Sequence, residues 1–206
     1  MCLNSRTTIV LAALAAALPF LIHFAPTAKA AADSAPAYAA NGDLLPIGDY
    51  REWIYLSTGL GMSYNAKPAD MEMFDNVFVD PAAYQSFLAT STWPDKTMFV
   101  LEIREAKSKG SVNQHGHFQG EGMMGMEVHV KDTARFPGGW AFFSFDSPGK
   151  NGTLIPQGAP CYSCHQAHGA VDTTFVQFYP TLLPIAREKK TLSPAYLSDE
   201  AAAQAK

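Results

Sequence analysis

Apolar and polar residues alternate in residues 98–104 and again in residues 126–131, as they do in β-strands that bury one face. An aromatic run at residues 140–145 and a β-branched run at residues 76–79 predict two further strands. Turn-forming Gly and Pro residues separate these segments. The pattern therefore predicts four or five short strands that follow one another along the chain.

Helical spacing is confined to short segments. Asp80 and Pro81 predict a helix over residues 81–88, because Pro is favoured at the first helical position. Residues 173–187 also carry apolar residues at helical spacing, but Pro180 and Pro184 predict two short helices there instead of one. The expected fold class is α+β, a mainly antiparallel β-sheet with a few short helices.

The two ends of the chain depart from this pattern. Residues 1–30 contain an apolar run after Arg6 and end in Ala28-Lys29-Ala30, which is typical of a cleaved signal peptide. A membrane anchor is the alternative, since the run is about the minimum length that spans a bilayer. We predict export to the periplasm with cleavage near Ala30. The remaining segments are a flexible lead-in (31–46), one globular domain (47–190) and a polar tail (191–206).

Composition adds two limits to this organisation. The chain has 206 residues and 48% hydrophobic content, enough for one domain with a substantial core. Its formal net charge is -4 and it has no basic block, so we expect no nucleic-acid partner.

The most specific chemistry lies near the C-terminus, in Cys161-Tyr162-Ser163-Cys164-His165. Two thiols about one helical turn apart can each bond a porphyrin vinyl group, and the adjacent imidazole can bind the iron. A redox-active dithiol and half of a zinc site are the alternatives, but no second Cys pair follows to complete a zinc site. We predict one covalent haem c, held by Cys161 and Cys164, with His165 as the iron ligand.

Several motifs, in order, resemble the cytochrome P-460 family. They are Tyr50-Arg51-Glu52-Trp53, Val79-Asp80-Pro81 with Tyr84, Val130-Lys131-Asp132, Arg135-Phe136, Trp140-Ala141-Phe142, the haem motif and Phe178-Tyr179-Pro180. The resemblance implies a sheet-based homodimer with a five-coordinate haem c and a vacant distal site. Founding members of the family oxidise hydroxylamine and carry a lysine bonded to the haem. A sister group, the beta-type cytochromes c prime, lacks that bond and binds diatomic gases.

The resemblance also exposes a departure at Leu101. Alignment with the family places Leu101 where the cross-linking lysine would stand, and leucine has no amine with which to form the bond. Phe99 shares a strand face with Leu101, so both are predicted to line the haem pocket. This wall is expected to be apolar and to contain no proton acceptor.

Catalytic residues are not identified by the sequence. His115 and His117 lie in a Gly-rich loop predicted over residues 107–125. They either overhang the distal face, as a sixth iron ligand or a proton donor, or are exposed loop histidines. Glu121 and Glu127 are the nearest candidate bases. A nearby group of methionines offers either an axial thioether or core packing; its members are Met123, Met124 and Met126.

Three functions are compatible with these residues. The first is the binding of nitric oxide or a similar small ligand at an open iron site, which Leu101 favours. The alternative is oxidation of hydroxylamine or a related nitrogen compound, and the third is electron transfer with a periplasmic electron carrier.

Overall fold

The computed structural model describes residues 35–64 and 71–205. Its six strands form an antiparallel sheet in which every strand pairs with its neighbours in sequence. The strands are β1 (Ile54–Leu60), β2 (Met73–Val79), β3 (Met98–Lys107), β4 (Phe118–Lys131), β5 (Trp140–Phe145) and β6 (Thr153–Leu154). The predicted α+β fold with a mainly antiparallel sheet is confirmed.

Short helices connect and cover the strands. They are α1 (Pro81–Thr90), α2 (Pro160–His168), α3 (Leu183–Lys189) and α4 (Pro194–Gln204), with 3-10 turns at Tyr50–Glu52, Pro137–Gly139 and Val176–Phe178. Helix α1 begins at Pro81, as the sequence predicted, and Asp80 caps it by accepting a hydrogen bond from the Ala83 amide at 2.8 Å. Within the described residues no helix has the length and apolar character needed to cross a membrane.

Each face of the sheet carries its own apolar core, because successive side chains of a strand point to opposite faces. One core joins Phe99 and Val79 of the sheet to Phe87 of α1 and Leu182 beside α3. The other core lies on the opposite face and is formed by Val100, Val128, Val130 and Phe143 together with Leu44. The first face, which the helices cover, is the one that positions the haem motif.

Strand β4 is longer than the alternation predicted. It begins at Phe118, so the second part of the predicted Gly-rich loop is strand, and Phe118 pairs with Lys107 of β3. Residues 118–125 lack an apolar alternation because Gly occupies several of their positions. Backbone pairing with β3 stabilises this extension, and such pairing leaves no trace in side-chain periodicity.

Both segments that flank the predicted domain contribute to its packing. In the lead-in, Leu44 is buried and exchanges backbone hydrogen bonds of 2.9 and 2.8 Å with Gly152. In the tail, α4 begins after its cap Ser193 and buries Tyr196 in the first core. In the described parts of these segments, Leu44 and Tyr196 therefore pack against the domain. The predicted signal peptide lies outside the described residues.

Candidate haem site

Helix α2 presents the two cysteines of the haem motif. Pro160 occupies its first position, and Cys161 and Cys164 follow one turn apart as half-buried free thiols. Burial raises the pKa of the Cys161 thiol. Thiols at this spacing on one helix suit attachment to the two vinyl groups of a single porphyrin.

His165 is oriented by the chain that follows α2. Its Nδ1 donates a hydrogen bond of 2.8 Å to the carbonyl oxygen of Thr173, which leaves Nε2 for a metal. Phe175 and Phe142 pack against the ring, with centroids at 4.1 and 4.7 Å. Burial lowers the pKa of His165, so the neutral imidazole, the form that binds iron, is favoured.

A cavity of about 380 Å³ opens beside His165, on the helix-covered face of the sheet. This volume is within the range of small-molecule and cofactor sites. Most of its walls are apolar or aromatic, including Val77, Phe99, Leu101, Phe142, Phe175 and Tyr179. Phe99 and Leu101 therefore line a cavity next to the predicted iron ligand, and the donor set and the cavity together fit a haem c.

The same cavity also has two acidic groups: Glu127, a candidate base from the sequence, and Asp75, which the sequence prediction missed. Leu101 pairs with Val77 of β2 on one side and with Glu127 of β4 on the other, so Glu127 lies beside Leu101 on the cavity wall. Asp75, two residues before Val77 on β2, lines the same cavity. Burial raises the pKa of Asp75. Burial, and secondly the Asp75 charge, raise the pKa of Glu127. The expectation of a wall without a proton acceptor was therefore wrong.

His129 also lines the cavity and was not predicted to do so. It pairs with Phe99, stacks on Phe142 at 4.0 Å and lies 5.0 Å from the His165 ring. Its Nε2 is buried and has no hydrogen-bond partner within the described residues. Burial holds the pKa of His129 well below its ordinary value, so the ring is neutral. The alternation of residues 126–131 predicts that Glu127 and His129 share one face of the sheet. It does not predict that this face is the one next to the haem motif.

The loop histidines lie elsewhere. His115 and His117 occupy the hairpin between β3 and β4, and neither lines the cavity. His117 contacts Ser108 Oγ through Nδ1 at 3.1 Å and the Glu72 carboxylate through Nε2 at 3.4 Å. The extension of β3 and β4 carries their connecting hairpin beyond the cavity. His115 and His117 are therefore not the proton donors of this site as the structure describes it.

The methionines are also outside the cavity lining. Met126 is buried in the core of the opposite face, with Met123 packed against that core, and Met124 is half exposed. Core packing is the interpretation that the structure supports for Met126. Met62 lines the cavity instead.

A helix with a Cys-x-x-Cys-His motif packs beside a cavity of cofactor size on one face of the β-sheet. This combination is typical of a haem-binding protein. Residues 47–176 match the family model described as Cytochrome P460. That match spans more than half of the 206 residues, and the chain belongs to the Cytochrome P460 family. No curated protein matches the chain. Membership implies a haem cofactor, in agreement with the residues around the cavity.

Proposed function

We propose that this is an exported protein with one covalent haem c that binds nitric oxide or a similar small neutral ligand at an open iron position. Cys161 and Cys164 would hold the haem, and His165 would occupy one axial position. Bound haem would supply an iron atom as the ligand-binding centre. The observation that carries the proposal is the predominantly apolar and aromatic cavity around Leu101.

The apolar part of the wall favours small ligands that make few hydrogen bonds with water. A neutral diatomic molecule loses little solvation when it enters an apolar cavity, whereas hydroxylamine or an anion loses hydrogen bonds that Phe99 and Leu101 cannot replace. Leu101 also offers no amine for a bond to the porphyrin. The haem is therefore expected to keep the ordinary electronic structure of haem c.

Optical spectra of the reduced, purified protein test this proposal. We expect an ordinary haem c spectrum that shifts when carbon monoxide or nitric oxide is added. A six-coordinate low-spin spectrum that does not respond to carbon monoxide would contradict ligand binding and favour electron transfer. The intact mass of the exported protein tests both cleavage near Ala30 and the attachment of one haem.

A second candidate function, the oxidation of hydroxylamine or a related nitrogen compound, is favoured by Asp75 and Glu127. A carboxylate in the cavity can accept a proton from a bound nitrogen compound. Steady-state assays with an artificial electron acceptor distinguish the two functions. Turnover that is lost in Glu127→Gln and retained in Glu121→Gln would establish an enzyme, since Glu121 lies on the same strand but is exposed and outside the cavity lining.

The family resemblance supports the first of two proposed partners, a second copy of the chain. We propose a homodimer that exchanges electrons with a periplasmic electron carrier when its iron changes oxidation state. Light scattering of the haem-loaded protein tests the dimer, because a monomeric mass at micromolar concentration would contradict it.

A further inference from the structure

The carbonyl group that orients His165 belongs to a strained turn. Asp172 and Thr173 are consecutive residues with positive φ angles of 47° and 61°. Hydrogen bonds of 2.9 and 3.3 Å between the backbones of Val171 and Thr174 close the turn around them. Two positive φ angles are the pattern of a type I′ turn, which favours Asn-Gly. Thr173 is β-branched, so this conformation is costly for it.

The sheet holds this turn from the other side. The Asp172 carboxylate accepts hydrogen bonds from Lys131 Nζ at the end of β4 and from Trp140 Nε1 on β5, the latter at 3.2 Å. Lys131 also donates to the Trp93 carbonyl at 2.8 Å, which limits the movement of its ammonium group. Both donors therefore come from ordered strand positions.

Close approach to α2 completes the arrangement. Gly169 ends the helix, and a Cβ atom there would lie 2.8 Å from the Thr173 Cα atom and 2.6 Å from the His165 carbonyl oxygen. The turn is thus pressed against the end of the helix that carries His165. A relaxation of the turn would move the Thr173 carbonyl away from Nδ1.

We propose that Lys131 and Trp140 are positioning residues, which hold Asp172 so that the Thr173 carbonyl stays bonded to His165 and thereby set the electron donation of the axial ligand. The inference rests on the proposed haem c centre with His165 on iron. A bond from Nδ1–H to a carbonyl makes an imidazole more basic, which strengthens its bond to iron and favours the ferric state. Loss of the anchor should therefore raise the midpoint potential and lower the iron–histidine stretching frequency.

Two variants of the haem-loaded protein separate this effect from a simple change of charge. Asp172→Asn removes a negative charge, and Lys131→Met removes a positive one. A purely electrostatic effect would shift the midpoint potential in opposite directions in the two variants. The proposal expects both variants to raise the potential, and both to lower the iron–histidine frequency in resonance Raman spectra of the ferrous protein.

Lys96→Met is the matched control. Lys96 also pairs with an aspartate, Asp132, but it does not contact the turn. Its loss removes the same charge and should leave the iron–histidine frequency unchanged. Opposite potential shifts in Asp172→Asn and Lys131→Met, or unchanged frequencies in both, would overturn the proposal.

A further variant covers the case in which loss of the anchor prevents folding. Thr173→Gly keeps the carbonyl group and removes most of the conformational cost, because Gly adopts positive φ readily. The double variant Asp172→Asn/Thr173→Gly should recover folding and a frequency close to that of the parent. Failure of Thr173→Gly to restore either would contradict the role of the strained turn. A parent protein without an iron–histidine band would instead contradict the proposed haem centre.

Discussion

Asp80 joins the start of α1 to the start of the cavity strand β3, and its removal should destabilise the protein. One carboxylate oxygen accepts a hydrogen bond from the Ala83 amide at 2.8 Å, and the other accepts from the Met98 amide at 3.0 Å. Asp80 is 5% exposed, so water cannot replace these bonds when the side chain is truncated. Asp80→Ala therefore leaves two backbone donors without a partner.

The two losses have separate magnitudes. Loss of a helix cap costs about 1 kcal/mol. A buried amide left without an acceptor, here that of Met98, costs about 1–3 kcal/mol. We expect Asp80→Ala to lower the free energy of unfolding by about 2–4 kcal/mol. The effect reaches the cavity because Met98 immediately precedes Phe99 on β3.

Denaturant titration of the haem-loaded protein, followed by far-ultraviolet circular dichroism, measures this change. Asp80→Asn keeps one acceptor oxygen and should lose less stability than Asp80→Ala. Ser193→Ala removes the cap of α4, also followed by Pro, and should cost about 1 kcal/mol. A loss of less than ~0.5 kcal/mol in Asp80→Ala, which is ordinary for surface substitutions, would refute the assigned role of Asp80.

Three further predictions concern the haem site. Because burial raises the pKa of Asp75 and Glu127, the folded protein holds these protons more tightly than the unfolded chain. The free energy of unfolding should therefore fall as pH rises from the unfolded-state pKa values through the folded-state values. Urea titrations at a series of pH values should show a smaller fall in the double variant Asp75→Asn/Glu127→Gln than in the parent protein. The Tyr162 hydroxyl accepts a hydrogen bond from the Phe142 amide of β5 at 3.2 Å and donates one to the Ile155 carbonyl oxygen at 2.9 Å. Tyr162→Phe should therefore lower the free energy of unfolding by about 1–3 kcal/mol, measured by thermal or chemical denaturation. Peptide mapping should find no lysine bonded to the porphyrin in the parent protein, and in Leu101→Lys it reports whether the scaffold still forms that bond.

Local chemistry allowed the sequence to determine much of this protein. The Cys161, Cys164 and His165 spacing defines the haem motif because residues three and four apart share one side of a helix. Asp80-Pro81 marked the start of α1, alternation located β3 and the end of β4, and an aromatic run located β5, because these signals involve only neighbouring residues. The order of the family motifs predicted the family, and the match over residues 47–176 confirmed it.

Beyond Phe99 and Leu101, the lining of the cavity was decided only by the tertiary structure. Alternation groups Glu127 with His129, but it does not say which face of the sheet the haem motif covers. The register of β3 with its neighbours sets Leu101 between Val77 and Glu127 and thereby brings the carboxyl groups to the cavity. The contacts of the strained turn also join residues that are far apart in the sequence. Asp172 meets Lys131, 41 positions away in sequence, because the sheet and the chain after α2 fold together.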